Sequence, residues 1–431
     1  MKKLIIVLLF ALFFGFGSAQ QLFRSQFAPF DAREDAAKSD YSRTVGHIIF
    51  APQKVGSVEG TDIYSQKVTA EAAWNDYNTM LHIQSVGSAY DVAINGVFVA
   101  GFEEGTTPVD LLVSPYLVQG QNDILVLLRT STCPELNAAT APLAQQQFSG
   151  SYIYQQHRTA IFDYDVAIVE REGKLHLELD IIADNSFNFQ EPITLGYDIY
   201  SPENKLIDYA VNQINVDGRS RDTMRVRVNL GAESRFLWSA AKPSLYRATL
   251  YIKRNGKPAE YIPLYIGAGS TTASNGVIYR NGKAISLQNS TNYNAPATRE
   301  LCRKELIALK AKGTTVLKTS APQPLWFYNL CDQIGLYVIE GAAINPTHAS
   351  GDRKVGGTPS NNPALVWEYI ARVKSMYYRT RNHACIIAYS LAGAEAGNGY
   401  CLYKAYQWLK GVEKQRAVIC NSAAGEWNSD L

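Results

Sequence analysis

The first half of the chain is patterned as β-strands. Between Ile49 and Arg129, short runs in which apolar and polar residues alternate are separated by turn residues, and this spacing is typical of a β-sandwich. The runs are MLHIQSV, YDVAINGVFVAGF, VDLLV and NDILVLLR. Asn95 and Gly96 lie between two apolar stretches and predict a type I′ hairpin, because both central residues of that turn adopt positive φ.

The strand pattern is interrupted from Thr130 to Gly150, a segment of low hydrophobicity that predicts a long loop. Alternating runs resume after it, and we predict a second, smaller sandwich of immunoglobulin size from Ile161 to Ile266. The runs that carry this prediction are AIFDYDVAIVE, KLHLELDIIA, ITLGYDIY, RVRVNL and YRATLYIK.

The period of the pattern changes from Ile278 onward. Short apolar runs alternate there with helical segments such as TRELCRKELIALKAKG and NPALVWEYIARVKSMYYRTRN. The apolar runs are AISL, TTVLK, LYVIE, CIIAYSL and AVIC. Strands that alternate with helices predict a parallel sheet, and this series favours a (β/α) barrel.

The N-terminus is typical of a secretory signal peptide. Lys2 and Lys3 precede an apolar run from Leu4 to Phe16, which is followed by small residues. We expect cleavage near Ala19 and an exported protein, located in the periplasm, at the outer membrane or outside the cell. The apolar run is shorter than the roughly 20 residues of a spanning helix, so a membrane anchor is the less favoured alternative. We expect no transmembrane segment after cleavage.

The composition is that of a globular chain with sizeable cores, since 46% of its 431 residues are hydrophobic. The 41 Lys and Arg residues balance the 39 Asp and Glu residues, and the absence of basic runs argues against a nucleic-acid partner. The six cysteines lack the paired spacing of a zinc site. We therefore predict no cofactor, and we interpret most cysteines as buried apolar residues, with disulfides as the open alternative. They are Cys133, Cys302, Cys331, Cys385, Cys401 and Cys420.

One carboxylate stands out in the last third of the chain. Glu395 lies in a turn of small residues within SLAGAEAGNGYCLYKAYQWLK, between an apolar run and a predicted helix. Barrel enzymes place their chemistry at the carboxyl ends of the strands, which is where this turn is expected. The alternative is a structural role in which Glu395 caps the following helix, whose N-terminal end favours negative charge.

Strings in all three predicted regions follow one another in the order found in a single enzyme family. The first region contains SAYDVAINGVFVAGFEEGTTPVDLLVSPYLVQGQNDILVLL. The second contains LWSAAKPSLYRATLYI, with Trp238, Pro243, Leu245 and Tyr246. The third contains NGK, FYNLCDQIGLYVIE, RNHACIIAYSL, EAGNGY and GEWNSD. Together these strings resemble glycoside hydrolase family 2, which includes β-galactosidases, β-glucuronidases and β-mannosidases.

The resemblance implies a multidomain chain. After a signal peptide over residues 1–19, it implies a jelly-roll, sugar-binding-like β-sandwich over residues 20–160 and an immunoglobulin-like β-sandwich over residues 161–267. Residues 268–431 are then expected to form a partial, C-terminally truncated (β/α) barrel of the TIM type.

The resemblance also places Glu395 at the family's general acid/base position, at the end of the fourth barrel strand. Retaining glycosidases need a second carboxylate about 5 Å away as the nucleophile, and in this family it ends the seventh strand. We count only five strands before Leu431. The family has Asn directly before the acid/base, whereas this chain has Ala394, which cannot hydrogen-bond the 2-hydroxyl of the sugar.

Other strand ends differ from the family as well. Residues 289–293 stand where the family has GVNRH, residues 318–323 where it has RTSHYP and residues 340–343 where it has DEAN, and the family's histidines are absent. The string PLAQQQFSG stands where a family loop carries acidic residues. We therefore expect an exported, catalytically inactive member that acts as a binding or scaffold component of the cell envelope. The alternative is a β-galactosidase-type retaining hydrolase with Glu395 as acid/base and the remaining site supplied by a partner.

A five-stranded open barrel also predicts a protein binding partner. Its sheet would leave apolar surface and two unpaired strand edges, which soluble proteins normally cover. We expect a protein partner or self-association to close it, and carbohydrate is a further candidate ligand. The predicted interface lies at or near the last strand, at Ala417, Val418, Ile419 and Cys420.

The remaining polar residues of this region are interpreted as structural. Glu340 and Glu426 are carboxylates without a catalytic counterpart in the family, and His348 and His383 have no sequence context that indicates a ligand role. The aromatic residues are assigned to packing, with sugar stacking as the alternative. They are Trp326, Tyr328, Tyr377, Tyr378, Tyr403 and Trp408.

Overall fold

The computed structural model describes residues 21–39, 41–137, 147–231, 234–346 and 352–431. The predicted signal peptide, His348 and most of the string PLAQQQFSG lie outside these residues. The described chain forms two compact units. The first falls within Met1–Leu22, Thr44–Pro134 and Gln145–Arg158, and the second within Phe23–Arg43, Glu135–Ala144 and Thr159–Leu431.

The first unit contains a β-sandwich of two antiparallel sheets. Its strands are β1 (Ile48–Ile49), β2 (Gln53–Val58), β3 (Thr61–Ala70), β4 (Tyr77–Ile83), β5 (Ala89–Ile94), β6 (Val97–Phe102), β7 (Val109–Leu112), β8 (Gly120–Arg129) and β9 (Tyr152–His157). The strand orders are β2-β3-β8-β5-β6 and β1-β9-β4-β7. Asn95 and Gly96 join β5 to β6 with φ of 53° and 82°, which confirms the predicted hairpin turn.

The second unit begins its regular structure with another antiparallel sandwich. Its strands are β10 (Thr159–Arg171), β11 (Lys174–Asn185), β12 (Glu191–Tyr200), β13 (Leu206–Val216), β14 (Ser220–Gly231), β15 (Tyr246–Arg254) and β16 (Lys257–Ile266). The sheets have the orders β10-β11-β14 and β13-β12-β15-β16. In β11, every second residue from Leu175 to Asn185 is buried, because successive side chains of a strand point to opposite faces.

The segment from residue 23 to residue 43 packs with this second sandwich. It contains the short helix α1 (Arg33–Lys38). Phe30 and Tyr261 of β16 exchange backbone hydrogen bonds of 2.9 and 2.8 Å, and Phe27 belongs to the apolar core of the sandwich. The predicted domain of residues 20–160 therefore does not pack as a single unit, because the apolar side chains of this segment are buried against residues more than a hundred positions away.

The last part of the second unit follows a small antiparallel sheet of β17 (Thr271–Ser274), β18 (Val277–Arg280) and β19 (Lys283–Ala284). The elements that follow are β20 (Ser290–Asn292), α2 (Arg299–Ala311), β21 (Val316–Lys318), α3 (Leu325–Ile334), β22 (Tyr337–Gly341), α4 (Val366–Thr380), β23 (Ile386–Ser390), α5 (Tyr400–Val412) and β24 (Ala417–Ile419). The five strands β20 to β24 are parallel and adjacent in chain order. This arrangement confirms the predicted partial (β/α) barrel. The prediction that AISL is its first strand is wrong, because Ala284 belongs to the antiparallel strand β19 and the first parallel strand is β20.

Local sequence accounts for the ends of these helices. At the start of α2, the Thr298 hydroxyl oxygen accepts a hydrogen bond from the Leu301 amide at 3.3 Å, as an N-cap residue does. At the end of α3, Gly335 has a φ of 82°, a conformation that costs glycine little. Across the described part of the chain, no helix has the length and apolar character needed to cross a membrane.

Candidate active site

The candidate active site is the edge of the parallel sheet where the strands β20 to β24 end. Since the strands are parallel, the segments that leave their carboxyl ends meet at this one edge. The segment after β23 carries Glu395, and the segment after β22 runs beside it, because the Gly393 amide donates a hydrogen bond of 2.8 Å to the Ile344 carbonyl. The structure thus places Glu395 at the edge that the sequence predicted.

Backbone hydrogen bonds hold the main chain around Glu395 in place, but no described contact holds its carboxylate. Glu395 lies in a single 3₁₀ turn, Ala394–Ala396, whose closing hydrogen bond runs from the Ala396 amide to the Gly393 carbonyl at 3.2 Å. Its side chain is exposed. Within the described residues, no hydrogen bond or ion pair holds the carboxylate. The turn therefore presents an acid group to solvent without setting its direction.

Glu395 does not cap the helix that follows it. The N-cap of α5 is Gly399, and no side chain caps it. The amide of Tyr400, the first helical residue, donates instead to the side-chain oxygen of Asn361 at 3.2 Å. The predicted capping role is therefore wrong, because Gly397, with a φ of 64°, turns the chain again before the helix begins.

The residues beside Glu395 offer few hydrogen-bonding groups to a ligand. Ala394 has only a methyl group, and residues 341–343 at the end of β22 are Gly-Ala-Ala. The hydroxyl of Ser390 donates to the Ala392 carbonyl at 3.2 Å. The side-chain amide of Asn345 donates to the Ser320 carbonyl at 3.0 Å. The polar side chains at these two strand ends thus hold the loop backbone.

Glu340 lies in β22 but faces the helices. Glu340 is fully buried and is paired with Tyr389 of β23 in the sheet register. The ring of Tyr389 packs against that of Tyr377 of α4, with centroids 5.7 Å apart. Burial raises the pKa of Glu340 to about 8, while Tyr328 of α3, Thr319 directly after β21 and Arg379 of α4 act in the opposite direction. Because Glu340 is fully buried and both Tyr328 and Arg379 belong to the helical layer, we interpret it as a structural residue and not as a second carboxylate for the strand-end edge.

His383 is also part of a buried structural network. Its Nδ1 lies 2.7 Å from Oδ2 of Asp332, which is fully buried in α3. The other oxygen of Asp332 accepts a hydrogen bond from the Cys385 amide at 2.8 Å. The indole N–H of Trp238 donates to the Asp332 carbonyl at 2.8 Å. This network joins the start of β23 to α3, which agrees with a structural role for His383.

The four residues predicted to form an interface are covered by the chain itself. The exposed fractions of Ala417, Val418, Ile419 and Cys420 are 0, 0, 7 and 3%. The Asp430 carboxylate accepts a hydrogen bond of 2.8 Å from the Val418 amide, and the Asp430 amide donates one of 2.9 Å to the Val418 carbonyl. The prediction that these side chains offer a contact surface needs correction, because the segment that follows β24 folds back along this strand.

An exposed aromatic residue, Trp427, lies close to the same edge. Its ring stacks on that of Tyr403, with centroids 5.3 Å apart and planes 25° apart. Sequence reasoning assigned Tyr403 to packing and did not single out Trp427. The available signal was the polar context of Trp427 in GEWNSD, since a tryptophan without apolar neighbours at strand or helix spacing has no predicted core to join.

The cysteines are confirmed as buried residues, and all six carry free thiols. Burial raises the pKa of Cys302 to about 11 and that of Cys401 to about 12. Among the described residues, no group of three or more His, Cys, Asp or Glu side chains is arranged to hold a metal ion.

Comparison with known proteins identifies this combination of a sandwich and a parallel (β/α) sheet as a glycosidase scaffold. Residues 28–157 match the family model for the sugar binding domain of glycosyl hydrolases family 2, and residues 280–430 match the model for the TIM barrel domain of the same family. The chain belongs to glycoside hydrolase family 2.

Individual relatives agree with this assignment. The chain is 28% identical to a beta-galactosidase of Priestia megaterium over 389 residues, which cover 86% of this chain and 37% of the relative. It is 27% identical to a beta-galactosidase of Yersinia pestis over 399 residues, covering 85% and 36%. The chain thus spans little more than a third of the length of these curated relatives.

Solved structures support the fold. The beta-glucuronidase of Bacteroides uniformis superposes with a TM-score of 0.68 at 16% identity, covering 84% of this chain and 46% of that chain. A beta-glycosidase from Bacteroides vulgatus superposes with a TM-score of 0.65 at 18% identity, covering 95% and 55%.

Proposed function

We propose that this chain is a carbohydrate-binding, non-hydrolytic member of family 2 that serves as a binding or scaffold component of the cell envelope. The observation that carries the proposal is the state of Glu395, whose exposed carboxylate has no hydrogen-bond or ion-pair partner among the described residues. A glycosidase acid/base works only when it is held at the glycosidic oxygen, with a second carboxylate at a fixed separation. Ala394 beside it offers no hydrogen bond to a sugar.

The other carboxylates of the region are engaged elsewhere. Glu340 is buried against the helical layer. Glu426 accepts a hydrogen bond from the Tyr403 hydroxyl and pairs with Arg353. Asp430 is bound to Val418 and to two side chains of α5. These contacts support the proposal, because none of the three is free to act as a nucleophile beside Glu395.

The alternative function is that of a β-galactosidase-type retaining hydrolase. It is favoured by the names of the relatives and by the position of Glu395 after the fourth parallel strand. In that case Glu395 is the general acid/base, and a partner polypeptide supplies the remaining site residues.

Hydrolysis assays distinguish the two functions. The chain and its Glu395→Gln variant, each isolated from its own cells under mild conditions that retain bound partners, are incubated with p-nitrophenyl β-galactoside and p-nitrophenyl β-glucuronide. We expect both proteins to release p-nitrophenol no faster than buffer. Turnover by the unmodified chain that the Glu395→Gln change removes would contradict the non-hydrolytic proposal. The variant Glu300→Gln, a change at an exposed carboxylate on α2, is the matched control for a contaminating glycosidase, whose activity would be the same in all three preparations.

We also propose that the protein is exported and acts with a protein partner. The support for export is the pattern of residues 1–19. N-terminal sequencing of the protein from envelope and soluble fractions should find a mature chain that begins near Gln20. A chain that keeps Met1 and stays with cytoplasmic markers would contradict export. Cross-linking in intact cells, followed by purification, tests for a stable companion of defined mass.

A further inference from the structure

Trp427 and its neighbours form a rigid aromatic surface on the rim of the parallel sheet. The residue follows β24, and 56% of its surface is exposed. The ring of Tyr403 stacks beneath the indole, and the ring of Tyr406 meets it at 80° with centroids 5.7 Å apart. Although two rings contact it, more than half of the Trp427 side chain stays accessible, so the indole offers a large apolar surface to a ligand.

Polar contacts hold this surface in place. Glu426 accepts a hydrogen bond of 2.5 Å from the Tyr403 hydroxyl and pairs with Arg353 at 2.7 Å. Arg353 also donates to the Tyr403 hydroxyl at 2.7 Å. Asn428, the next residue along the chain, is fully buried and exchanges side-chain hydrogen bonds of 3.0 and 2.8 Å with Asn398. A ligand that stacks on the indole therefore meets groups that are already ordered, which lowers the entropy lost on binding.

The chemical groups at the Trp427 surface indicate which kind of ligand it binds. A flat aromatic face binds a ring with an apolar face, and a carboxylate and a guanidinium beside it accept and donate hydrogen bonds. A pyranose ring has both features, since C–H groups cover one of its faces and hydroxyl groups surround its edge. The charges of Arg353 and Glu426 compensate each other, and the hydrogen bonds from Tyr403 and Arg353 keep the pKa of Glu426 low. The site therefore favours neutral sugars over uronic acids.

We propose that Trp427, Tyr403, Arg353 and Glu426 form a binding site for a pyranose unit of a neutral polysaccharide, a set of residues that does not include Glu395. Trp427 stacks on the apolar face of the sugar, and the exposed edges of Arg353 and Glu426 bind its hydroxyl groups. This inference deepens the proposed function, because it gives a carbohydrate-binding role a defined surface. It does not depend on whether Glu395 retains any catalytic role.

Affinity electrophoresis tests the site with three soluble probes: β-1,4-galactan, β-mannan and polygalacturonate. We expect at least one of the two neutral polysaccharides to retard the unmodified protein. The Trp427→Ala variant should bind that polysaccharide about tenfold more weakly or worse, since a tenfold loss equals 1.4 kcal/mol of binding free energy. Trp367→Ala is the matched control, because Trp367 is 59% exposed on α4 and has no described ring contact with Trp427. It should bind like the unmodified protein.

The unfolding midpoint of each variant in urea shows whether it is folded. If Trp427→Ala does not fold, the milder change Arg353→Gln replaces it, with a weaker but measurable loss of retardation expected. Equal retardation of the unmodified protein and a folded Trp427→Ala variant would overturn the site while leaving the non-hydrolytic proposal untouched. Retardation by polygalacturonate alone, or by none of the probes, would also overturn it. A change in oligomeric mass in Trp427→Ala without a change in retardation would assign the surface to a protein contact instead.

Turnover in the hydrolysis assay contradicts the proposed function but not this site. The two failures are therefore distinguishable, because the hydrolysis assay compares variants at Glu395 and electrophoresis compares variants at Trp427.

Discussion

Asp163 and Arg381 form an ion pair of 2.9 Å between the first strand of the second sandwich and the end of α4. Both side chains are largely buried, with 5 and 11% of their surfaces exposed. The other oxygen of Asp163 accepts a hydrogen bond of 3.0 Å from the Ser25 amide, and Arg381 also donates to the Tyr164 carbonyl at 3.1 Å. One pair thus connects the N-terminal segment, the sandwich and the barrel region.

Loss of this pair should destabilise the protein strongly. The change Arg381→Met keeps most of the side-chain volume but leaves the buried Asp163 carboxylate without its counter-charge. We expect a decrease of about 3–5 kcal/mol in the free energy of unfolding, measured by urea denaturation. Arg227→Met is the matched control, because Arg227 pairs with Asp180 at 2.8 Å on the surface and should cost at most about 1 kcal/mol. Equal effects of the two changes would show that Asp163 and Arg381 do not act as a buried pair.

Glu340 should make the stability of the protein depend on pH. Burial raises its pKa in the folded state to about 8 from an ordinary value of 4.5, so the folded protein keeps a proton that the unfolded chain loses. This contribution to stability is complete below about pH 4.5 and is lost as the pH rises to about 8. The loss approaches roughly 1.4 kcal/mol per pH unit within that range.

The Glu340→Gln variant tests this dependence, because glutamine stays neutral at every pH. Urea unfolding at pH 5.5, 7 and 8.5 should show a stability advantage of the variant over the unmodified protein that increases with pH and levels off near pH 8. Glu170→Gln, a change at an exposed position of β10, should shift stability by less than about 0.5 kcal/mol throughout. A constant difference between Glu340→Gln and the unmodified protein would contradict the raised pKa.

The six thiols should not react with thiol reagents in the folded protein. All are buried and free, and a thiol reacts through its thiolate, which burial disfavours. Ellman's reagent should label none of them within minutes in native buffer and six per chain in guanidinium chloride. Fewer than six labelled thiols after denaturation without reductant would show that the isolated protein contains a disulfide.

Substitution of Trp238 should destabilise the second unit more than most single substitutions. Trp238 is fully buried, its indole N–H donates to the Asp332 carbonyl, and the guanidinium of Arg280 lies 5.2 Å from its ring. Trp238→Phe leaves a small cavity and removes the hydrogen bond. We expect a loss of about 1–3 kcal/mol in urea unfolding, whereas Trp367→Phe on the surface should change stability by less than about 0.5 kcal/mol.

Much of the fold could be predicted from local pattern. The alternation in β11 and the Asn95-Gly96 turn depend on neighbouring residues alone. The repeat of short apolar runs and helices predicted four of the five parallel strands. It missed the first strand, β20, because the sequence Ser290–Asn292 is polar. The position of Glu395 at a strand end followed from the same pattern and from the resemblance. The sequence did not predict that the Glu395 carboxylate lacks a described hydrogen-bond or ion-pair partner. This property depends on which side chains the other strand ends bring near Glu395.

Three features required the tertiary structure. The segment that contains Phe30 packs with β16, Asp430 covers β24, and Glu340 faces the helices. In each case the deciding contacts join residues that are distant in sequence or belong to different layers, so no local period indicates them.

The amino-acid sequence by itself therefore determined the element types, their order and the family, because these follow from short-range periodicity and from strings of adjacent residues. Only the tertiary structure decided which carboxylates are free, which are buried and which aromatic rings reach solvent. The physical reason is that hydrogen bonding, burial and pKa depend on the complete set of neighbours around a group, and the fold assembles that set from all parts of the chain.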